Sequence, residues 1–317
     1  MNTPIQADVS AQVTKKDVSF LSNKLKLAAH LYLPAPIDSI TGPLPAIVVG
    51  HPGTAVKEQT AGLYASLLAE KGFVTLAFDA AYQGESEGLP RGLEDPAQRV
   101  EDIKAAVSFM STLAFVNPER IGVLGICASG GYGIAAAATD TRVKAIATVS
   151  AADIGRQFRN GGDGTQDISI IKNMLNYAAA ARTAEAKGEA PASFPIFPET
   201  EEQAKALGQH VYEGWQYYCT TPYAHPRSAK TFTWSSVDRI AGFDALRFVQ
   251  MIAPRPLLMI VGSEAVTKWI TDEAMAGAQD SKELCIIEGA THVDLYYKKA
   301  FVTPAVDKLA SFFSTKL

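Results

Sequence analysis

Short apolar runs alternate with amphipathic stretches through the first half of the chain. The runs at 46–50, 73–78 and 121–125 are mainly apolar throughout, which is typical of parallel strands covered on both faces. The stretches at 64–71 and 96–113 carry apolar residues at helical spacing. This repeated order of strand and helix predicts an α/β fold with a mostly parallel, doubly wound sheet and helices on both faces.

Further strands and a final helix extend this pattern toward both ends of the chain. Two apolar runs flank the polar turn at 22–24 and predict an N-terminal hairpin. Later apolar runs predict three more strands, at 143–149, 256–262 and 284–288. Residues 304–313 carry their apolar side chains on one face, which predicts a closing helix.

The strand rhythm stops between residues 152 and 244. Helical stretches at 168–182 and 201–218 flank a proline-rich link there, and aromatic residues are dense. We interpret 152–244 as a helical cap inserted into an α/β core formed by 1–151 and 245–317. The alternative is a helical layer that only completes the core. An aromatic cap predicts a small-molecule substrate with apolar or aromatic bulk.

Composition and charge narrow the classes of partner. The 317 residues include 29 basic and 33 acidic ones, and the net charge of -4 favours neither nucleic acid nor an anionic membrane surface as a partner. No apolar stretch reaches the length of a membrane span, and residues 1–14 lack the pattern of a secretory signal. We therefore expect a cytoplasmic protein, for which a homodimer is one candidate assembly.

Cysteine spacing and glycine patterns bear on metals and cofactors. Cys127, Cys219 and Cys285 are irregularly spaced, which argues against a disulfide framework or a zinc site. The glycines at 130–133 lack both the spacing of a dinucleotide fingerprint and the lysine of a P-loop. The sequence therefore predicts no metal and no cofactor.

The strongest chemical signal follows the strand at 121–125. Gly-Ile-Cys-Ala-Ser-Gly-Gly at 125–131 joins that strand to an alanine-rich helix, and small residues flank Cys127 as in a nucleophile elbow. The helix N-terminus directs backbone N–H groups toward the sulfur, which favours the thiolate. Ser129 is a second candidate nucleophile because it also has small flanking residues. We favour Cys127 because the apolar strand ends at Gly125.

A histidine and an acidic residue follow in the order expected for a catalytic triad. His292 comes after the last predicted strand and fits a general base. Glu264, just after the strand ending at Gly262, is the predicted third member, which would orient and stabilise the imidazolium. Asp294 is one alternative, and a Cys127–His292 pair without an acid is another. A thiol nucleophile depends less on this third group than a hydroxyl does.

The loop after 46–50 supplies the remaining candidate residues. In a doubly wound sheet this loop opens beside the nucleophile. Backbone N–H groups of Gly53 or Thr54, together with that of Ala128, form the predicted oxyanion hole. We interpret His51, in the same loop, as a packing residue rather than a catalyst.

Taken together, these motifs resemble those of the α/β-hydrolase superfamily. The resemblance rests on His-Pro-Gly at 51–53, Phe-Asp at 78–79 with Gly-Glu-Ser at 84–86, the elbow at 125–131 and His-Val-Asp-Leu-Tyr at 292–296. The Gly-x-Cys-x-x-Gly-Gly elbow is similar to that of dienelactone hydrolase and related bacterial proteins. The resemblance covers the predicted core and not the cap.

The resemblance implies a mostly parallel sheet of about eight strands. It also implies hydrolysis through a covalent acyl-enzyme, with Cys127 as the nucleophile and His292 as the base. The sequence departs from the family pattern at Ala265, which stands where the family has an aspartate. The cap is larger than in dienelactone hydrolases, so their lactone substrate does not transfer directly.

Three functions fit these residues. The first is a cofactor-free hydrolase that cleaves an ester, thioester or lactone through an acyl-cysteine intermediate. The second is an acyltransferase that uses the same residues with an acceptor other than water. The third is a non-catalytic binding protein that keeps the α/β-hydrolase fold, which the missing aspartate would favour.

Overall fold

The structure is a computed structural model that describes residues 13–317. The expectation that residues 1–14 carry no secretory signal falls mostly on residues 1–12, which lie outside the described part. The strands are β1 (Thr14–Ser22), β2 (Leu25–Leu33), β3 (Leu44–Gly50), β4 (Val74–Phe78), β5 (Val116–Ile126), β6 (Ala145–Val149), β7 (Ser193–Pro195), β8 (Thr231–Thr233), β9 (Leu257–Gly262) and β10 (Lys282–Ile287). The helices are α1 (Thr60–Glu70), α2 (Pro96–Ser111), α3 (Ala128–Thr139), α4 (Ile154–Asn160), α5 (Ile168–Ala186), α6 (Glu201–Ala206), α7 (Gln209–Cys219), α8 (Val237–Ala241), α9 (Lys268–Gly277), α10 (Asp294–Tyr297) and α11 (Lys299–Lys316).

Eight of the strands form one sheet in the order β1-β2-β4-β3-β5-β6-β9-β10. Neighbouring strands along β4-β3-β5-β6-β9-β10 pair in parallel. At the other edge β1 pairs antiparallel with β2, and β2 pairs antiparallel with β4. Asn23 and Lys24 turn the β1–β2 hairpin, and both have the positive φ that a tight hairpin turn requires. The mostly parallel sheet of about eight strands is confirmed, and so is the N-terminal hairpin.

Helices cover the sheet on both faces and give it two apolar cores. On one face α1 and α11 bring Leu68 and Phe313 against the sheet, and on the other α2 and α3 bring Val107 and Ile134. The central strands β4, β6 and β9 are buried along their whole length, as their continuous apolar runs require. The doubly wound arrangement predicted from the sequence is therefore confirmed.

The segment between β6 and β9 carries α4 to α8 and the separate two-stranded sheet β7-β8. The single helix predicted at 201–218 is wrong: Gly208 adopts a φ of 100° and divides it into α6 and α7. Side chains of this segment join both cores, Phe232 on one face and Tyr217 on the other. The division into a core and an inserted cap stays a prediction.

Helix length and composition bear on membrane insertion. Within residues 13–317, no helix is both long enough and apolar enough to cross a bilayer.

We predict that Gly125→Ala destabilises the protein because the elbow leaves no room for a side chain. A Cβ atom on Gly125 would lie 2.1 Å from the carbonyl oxygen of Ser129. Overpacking against backbone costs about 1–3 kcal/mol or more, and urea unfolding measures it. The matched control is Gly42→Ala, whose Cβ meets nothing within 4 Å and should leave stability unchanged. Equal unfolding midpoints for the two variants would contradict the packing argument.

Candidate active site

Cys127 stands at the apex of a tight turn between β5 and α3. Its backbone has φ 54° and ψ -120°, a conformation that costs a non-glycine residue about 1–3 kcal/mol. The Cys127 N–H donates to the carbonyl of Val149 at 3.0 Å, and its carbonyl accepts from Gly130 N–H at 2.8 Å. A Cβ on Gly130 would approach Ala151 to 2.8 Å, so a small residue is required there. This is the geometry of a nucleophile elbow.

The surroundings of the Cys127 sulfur set its protonation. Burial raises the pKa of the thiol above its ordinary value, while the Tyr296 hydroxyl and the backbone N–H groups of Ala128 and Gly53 act in the opposite direction. Burial prevails. The helix N-terminus favours the thiolate, as the sequence indicated, but desolvation of the sulfur has the larger effect on its pKa.

His292 lies in the loop after β10, beside the elbow, and is almost fully buried. Its Nδ1 contacts the Thr267 hydroxyl at 2.6 Å, and its Nε2 contacts the Tyr296 hydroxyl at 2.9 Å. Burial, followed by the neighbouring His210, holds the pKa of His292 well below its ordinary value. The rings of His210 and His292 meet edge to face with centroids 5.2 Å apart. The resting imidazole is therefore neutral.

The structure does not bring Glu264, the predicted triad acid, to His292. The Glu264 side chain is exposed and accepts a hydrogen bond from the hydroxyl of Ser263 at 3.2 Å. After β9 the chain turns so that Thr267, immediately before α9, contacts Nδ1 of His292 instead. The assignment of Glu264 is corrected accordingly, since a threonine hydroxyl occupies the position expected for the carboxylate.

Asp294, the alternative acid, is engaged elsewhere. Its carboxylate accepts from the backbone N–H of Thr291 at 3.1 Å and forms an ion pair with Lys298. Among the described residues, no carboxylate hydrogen-bonds to His292. The site therefore carries an uncharged group where a triad usually carries an anion.

The three residues predicted to donate to an oxyanion differ in how they are placed relative to the Cys127 sulfur. The N–H groups of Gly53 and Ala128 both face the Cys127 sulfur, from the loop after β3 and from the start of α3. Thr54 has a positive φ of 58°, and its buried hydroxyl has no hydrogen-bond partner among residues 13–317. Gly53 and Ala128 remain the better candidates for binding an oxyanion.

Ser129 and His51 lie behind the elbow. The Ser129 hydroxyl donates to the carbonyl of His51 at 2.5 Å, so it points toward the loop after β3. His51 is fully buried, with Nδ1 against the carbonyl of Pro52 at 2.6 Å and Nε2 accepting from Ala80 N–H at 3.1 Å. Burial, together with the charge of Arg99, holds the pKa of His51 well below its ordinary value. Both residues therefore hold the loop in place rather than face a substrate.

A cavity of about 380 Å³ opens above Cys127. The segment between β6 and β9 supplies most of its wall, including the apolar residues Ile154, Phe158, Met174, Ile196, Phe197 and Phe232. The same segment contributes the polar side chains of Gln157, Gln166, His210 and Tyr218 to the wall. Within the described part of the chain, the wall contains no Asp, Glu, Lys or Arg. The cavity therefore suits an uncharged, largely apolar group.

Two residues of the site escaped the sequence reasoning. Tyr296 lay within the motif at 292–296, and the four-residue spacing from His292 was a signal that it returns to the same side of the chain. Thr267 gave no comparable signal, because its contact depends on the path of the loop after β9. Across residues 13–317, no cluster of three His, Cys, Asp or Glu side chains is placed to hold a metal ion.

The sheet order, the helices on both faces and the elbow after β5 define an α/β-hydrolase. Residues 24–226 match the family model described as X-Pro dipeptidyl-peptidase (S15 family). The chain therefore belongs to the peptidase S15 family, and the family and fold place it among hydrolases.

Similar proteins come from bacteria and fungi. The uncharacterized protein YcjY of Escherichia coli K12 is 41% identical over 305 residues, covering 95% of this chain and 98% of YcjY. The thiohydrolase aneE of Aspergillus aculeatus is 31% identical over 254 residues, covering 78% of this chain and 76% of aneE. The crystal structure of the hypothetical protein PA2218 of Pseudomonas aeruginosa superposes with a TM-score of 0.90 at 37% identity, over 100% of this chain and 99% of that one. The finer resemblance to dienelactone hydrolase stays a prediction.

We predict that Cys127 reacts slowly at neutral pH and faster in alkali. Because its thiol pKa is raised, the thiolate fraction grows only as the pH passes above the ordinary thiol range. Mass spectrometry of iodoacetamide-treated protein between pH 6 and pH 10.5 gives the rate at Cys127, with the urea-unfolded protein as the reference. Alkylation of native Cys127 at pH 7 faster than in the unfolded chain would contradict this prediction.

We also predict that Thr267→Val destabilises the protein and Glu264→Gln does not. Valine keeps the shape of threonine but leaves Nδ1 of the buried His292 without its partner, which costs about 1–3 kcal/mol. Glu264→Gln alters an exposed side chain and should change the free energy of unfolding by less than about 0.5 kcal/mol. Urea unfolding at pH 7 measures both. A larger loss for Glu264→Gln than for Thr267→Val would restore Glu264 as the partner of His292.

Proposed function

We propose that the protein hydrolyses a neutral carboxylic ester, thioester or lactone through an acyl-cysteine intermediate on Cys127. The observation that carries this proposal is the position of the sulfur, at the apex of the elbow, on the wall of the cavity and next to two backbone N–H groups. The similarity to the fungal thiohydrolase aneE supports thioesters among the three substrate classes.

In the proposed reaction, the sulfur attacks the acyl carbon while its proton moves toward His292. The N–H groups of Gly53 and Ala128 stabilise the oxyanion. The tetrahedral intermediate collapses, the proton passes to the leaving oxygen or sulfur, and the acyl group stays on Cys127. Water, deprotonated by His292, then attacks the thioester, and the proton on His292 passes to the departing sulfur of Cys127 as the acid is released. Because thiol and imidazole are both neutral at rest, each proton transfer accompanies bond formation.

The cavity wall favours an uncharged acyl group with apolar or aromatic bulk. Phe158, Phe197 and Phe232 offer apolar surface, and Gln157 and Gln166 offer hydrogen bonds without charge. An enzyme that removes dipeptides must also bind the ammonium group at the peptide N-terminus. In the part of the chain that the structure describes, the wall supplies no carboxylate for that ammonium. The cavity therefore favours esters and thioesters over the peptides in the family's description.

Acyl transfer is the second candidate function, and the apolar wall is the observation that favours it. A cavity lined with apolar side chains disfavours water around the acyl-cysteine and gives an alcohol or amine acceptor time to react. The reacting residues are the same in both functions. The third candidate is a non-catalytic binding protein. It is supported if the neutral thiol of Cys127 forms no acyl adduct.

We predict that Cys127→Ala lowers turnover of p-nitrophenyl esters and alkyl thioesters by about 10³-fold or more, because the nucleophile is lost. Acyl chains from two to ten carbons should show rising kcat/KM until the cavity is filled. Intact-protein mass spectrometry should detect an acyl adduct in the wild type and not in the variant. Cys219→Ala, which removes a thiol at the end of α7, is the matched control and should retain activity.

Two further arms separate the alternatives. Ser129→Ala should keep the acyl adduct on Cys127, and loss of the adduct in that variant alone would move the nucleophile to Ser129. Addition of an alcohol or amine tests for acyl transfer through the appearance of a new ester or amide. Full turnover in Cys127→Ala would refute the acyl-cysteine intermediate.

A further inference from the structure

The hydroxyl of Tyr296 lies between the proposed nucleophile and the proposed base. It is 2.9 Å from Nε2 of His292, and it lies close enough to the sulfur of Cys127 to lower the pKa of that thiol against the effect of burial. All three side chains line the same cavity. Throughout residues 13–317, no direct hydrogen bond joins Cys127 to His292. The nitrogen of His292 that would form such a bond, Nε2, contacts the Tyr296 hydroxyl instead.

Packing holds the Tyr296 ring in this position. Tyr296 belongs to α10, one helical turn beyond His292, and is almost fully buried. Its ring meets the rings of His292 and Tyr217 edge to face, with centroids 5.5 Å and 5.2 Å apart. Tyr217 is itself fixed, because its hydroxyl accepts from Thr60 N–H at 2.9 Å. Packing therefore fixes the Tyr296 phenol in the site.

We propose that Tyr296 is a catalytic residue that carries the proton from the Cys127 thiol to His292. As sulfur attacks the acyl carbon, the S–H bond breaks and its proton moves to the Tyr296 oxygen. The O–H bond of Tyr296 breaks at the same time and its proton moves to Nε2 of His292. The phenol is neutral before and after the step, and His292 becomes the imidazolium. The reverse transfer delivers the proton to the leaving group as the intermediate collapses.

The contacts of His292 agree with this direction of transfer. The step requires an unprotonated Nε2 that accepts from the Tyr296 hydroxyl and a protonated Nδ1 that donates. The Thr267 hydroxyl lies 2.6 Å from Nδ1, and in the tautomer that the transfer needs its oxygen accepts from that N–H. Thr267 is thus a positioning residue in the proposal, because its contact holds the ring with Nε2 toward Tyr296. This role explains why a hydroxyl oxygen suffices where a carboxylate was predicted.

The inference rests on the proposed function, and Tyr296→Phe tests it. Phenylalanine keeps the ring packing and removes only the hydroxyl. Single-turnover acylation by a p-nitrophenyl ester should fall by about 10²-fold or more, within the range typical of a proton-transfer group. Tyr297→Phe is the matched control, since Tyr297 is only partly buried and stands outside the cavity that contains Cys127. It should acylate at the wild-type rate. Thermal unfolding of both variants verifies that they fold.

The acylation rate in mixtures of H2O and D2O separates proton transfer from mere support of His292. Two protons in flight give a curved dependence on deuterium content in the wild type, and Tyr296→Phe should give a linear one. In the wild type, ¹⁵N NMR of His292 should show Nδ1 protonated and Nε2 unprotonated. A linear wild-type dependence, a protonated Nε2, or acylation of Tyr296→Phe within about threefold of wild type overturns the proposal.

Failure of the proposed function has a different signature. If the wild type forms no acyl adduct, the ester hydrolase proposal fails, and iodoacetamide alkylation of Cys127 then tests the relay. Equal slowing of that alkylation in Tyr296→Phe and His292→Ala, with Tyr297→Phe unchanged, supports the relay. Slowing in His292→Ala alone overturns it.

Discussion

The left-handed backbone of Cys127 is the constraint on which the rest of the site depends. A non-glycine residue holds φ at 54° only where the surrounding chain leaves it no alternative. Here Gly125 lets β5 approach the start of α3, and Gly130 lets α3 approach Ala151 after β6, to distances that a Cβ would forbid. The turn raises the sulfur above the carboxyl ends of the strands and aims the start of α3 at it. The loop after β3 and the loop after β10 then reach the sulfur from either side.

Burial, and not the helix N-terminus, determines the charge state of this site. A helix terminus stabilises a nearby charge by about 0.3–2 kcal/mol. Full burial can disfavour the charged form by about 4–7 kcal/mol, which is a larger effect. Desolvation therefore prevails at Cys127, and the same effect keeps His292 neutral. A site without a resting ion pair holds no imidazolium at rest for a third, anionic group to stabilise. The contact of Thr267 with Nδ1, in place of a carboxylate, is consistent with such an uncharged arrangement.

The sequence predicted the fold better than the details of the site. Continuous apolar runs gave the central strands, and the small residues around Cys127 gave the elbow, because both are local patterns with direct structural causes. Gly208, which divides one predicted helix into two, was misread because helical periodicity continues across it. Contacts between distant loops have no such local signature. The replacement of Glu264 by Thr267 depends on how the chain turns after β9, and spacing alone cannot show that.

The raised pKa of the Cys127 thiol also bears on how the protein withstands oxidants. Peroxide attacks the thiolate and converts it first to a sulfenic acid and then, irreversibly, to higher oxides. A buried thiol with a raised pKa presents little thiolate to such oxidants. In the proposed reaction the proton leaves only as a carbonyl carbon arrives, so the sulfur would become nucleophilic in the presence of substrate and stay protected at other times. The desolvation that slows the resting thiol would thus preserve it for that reaction.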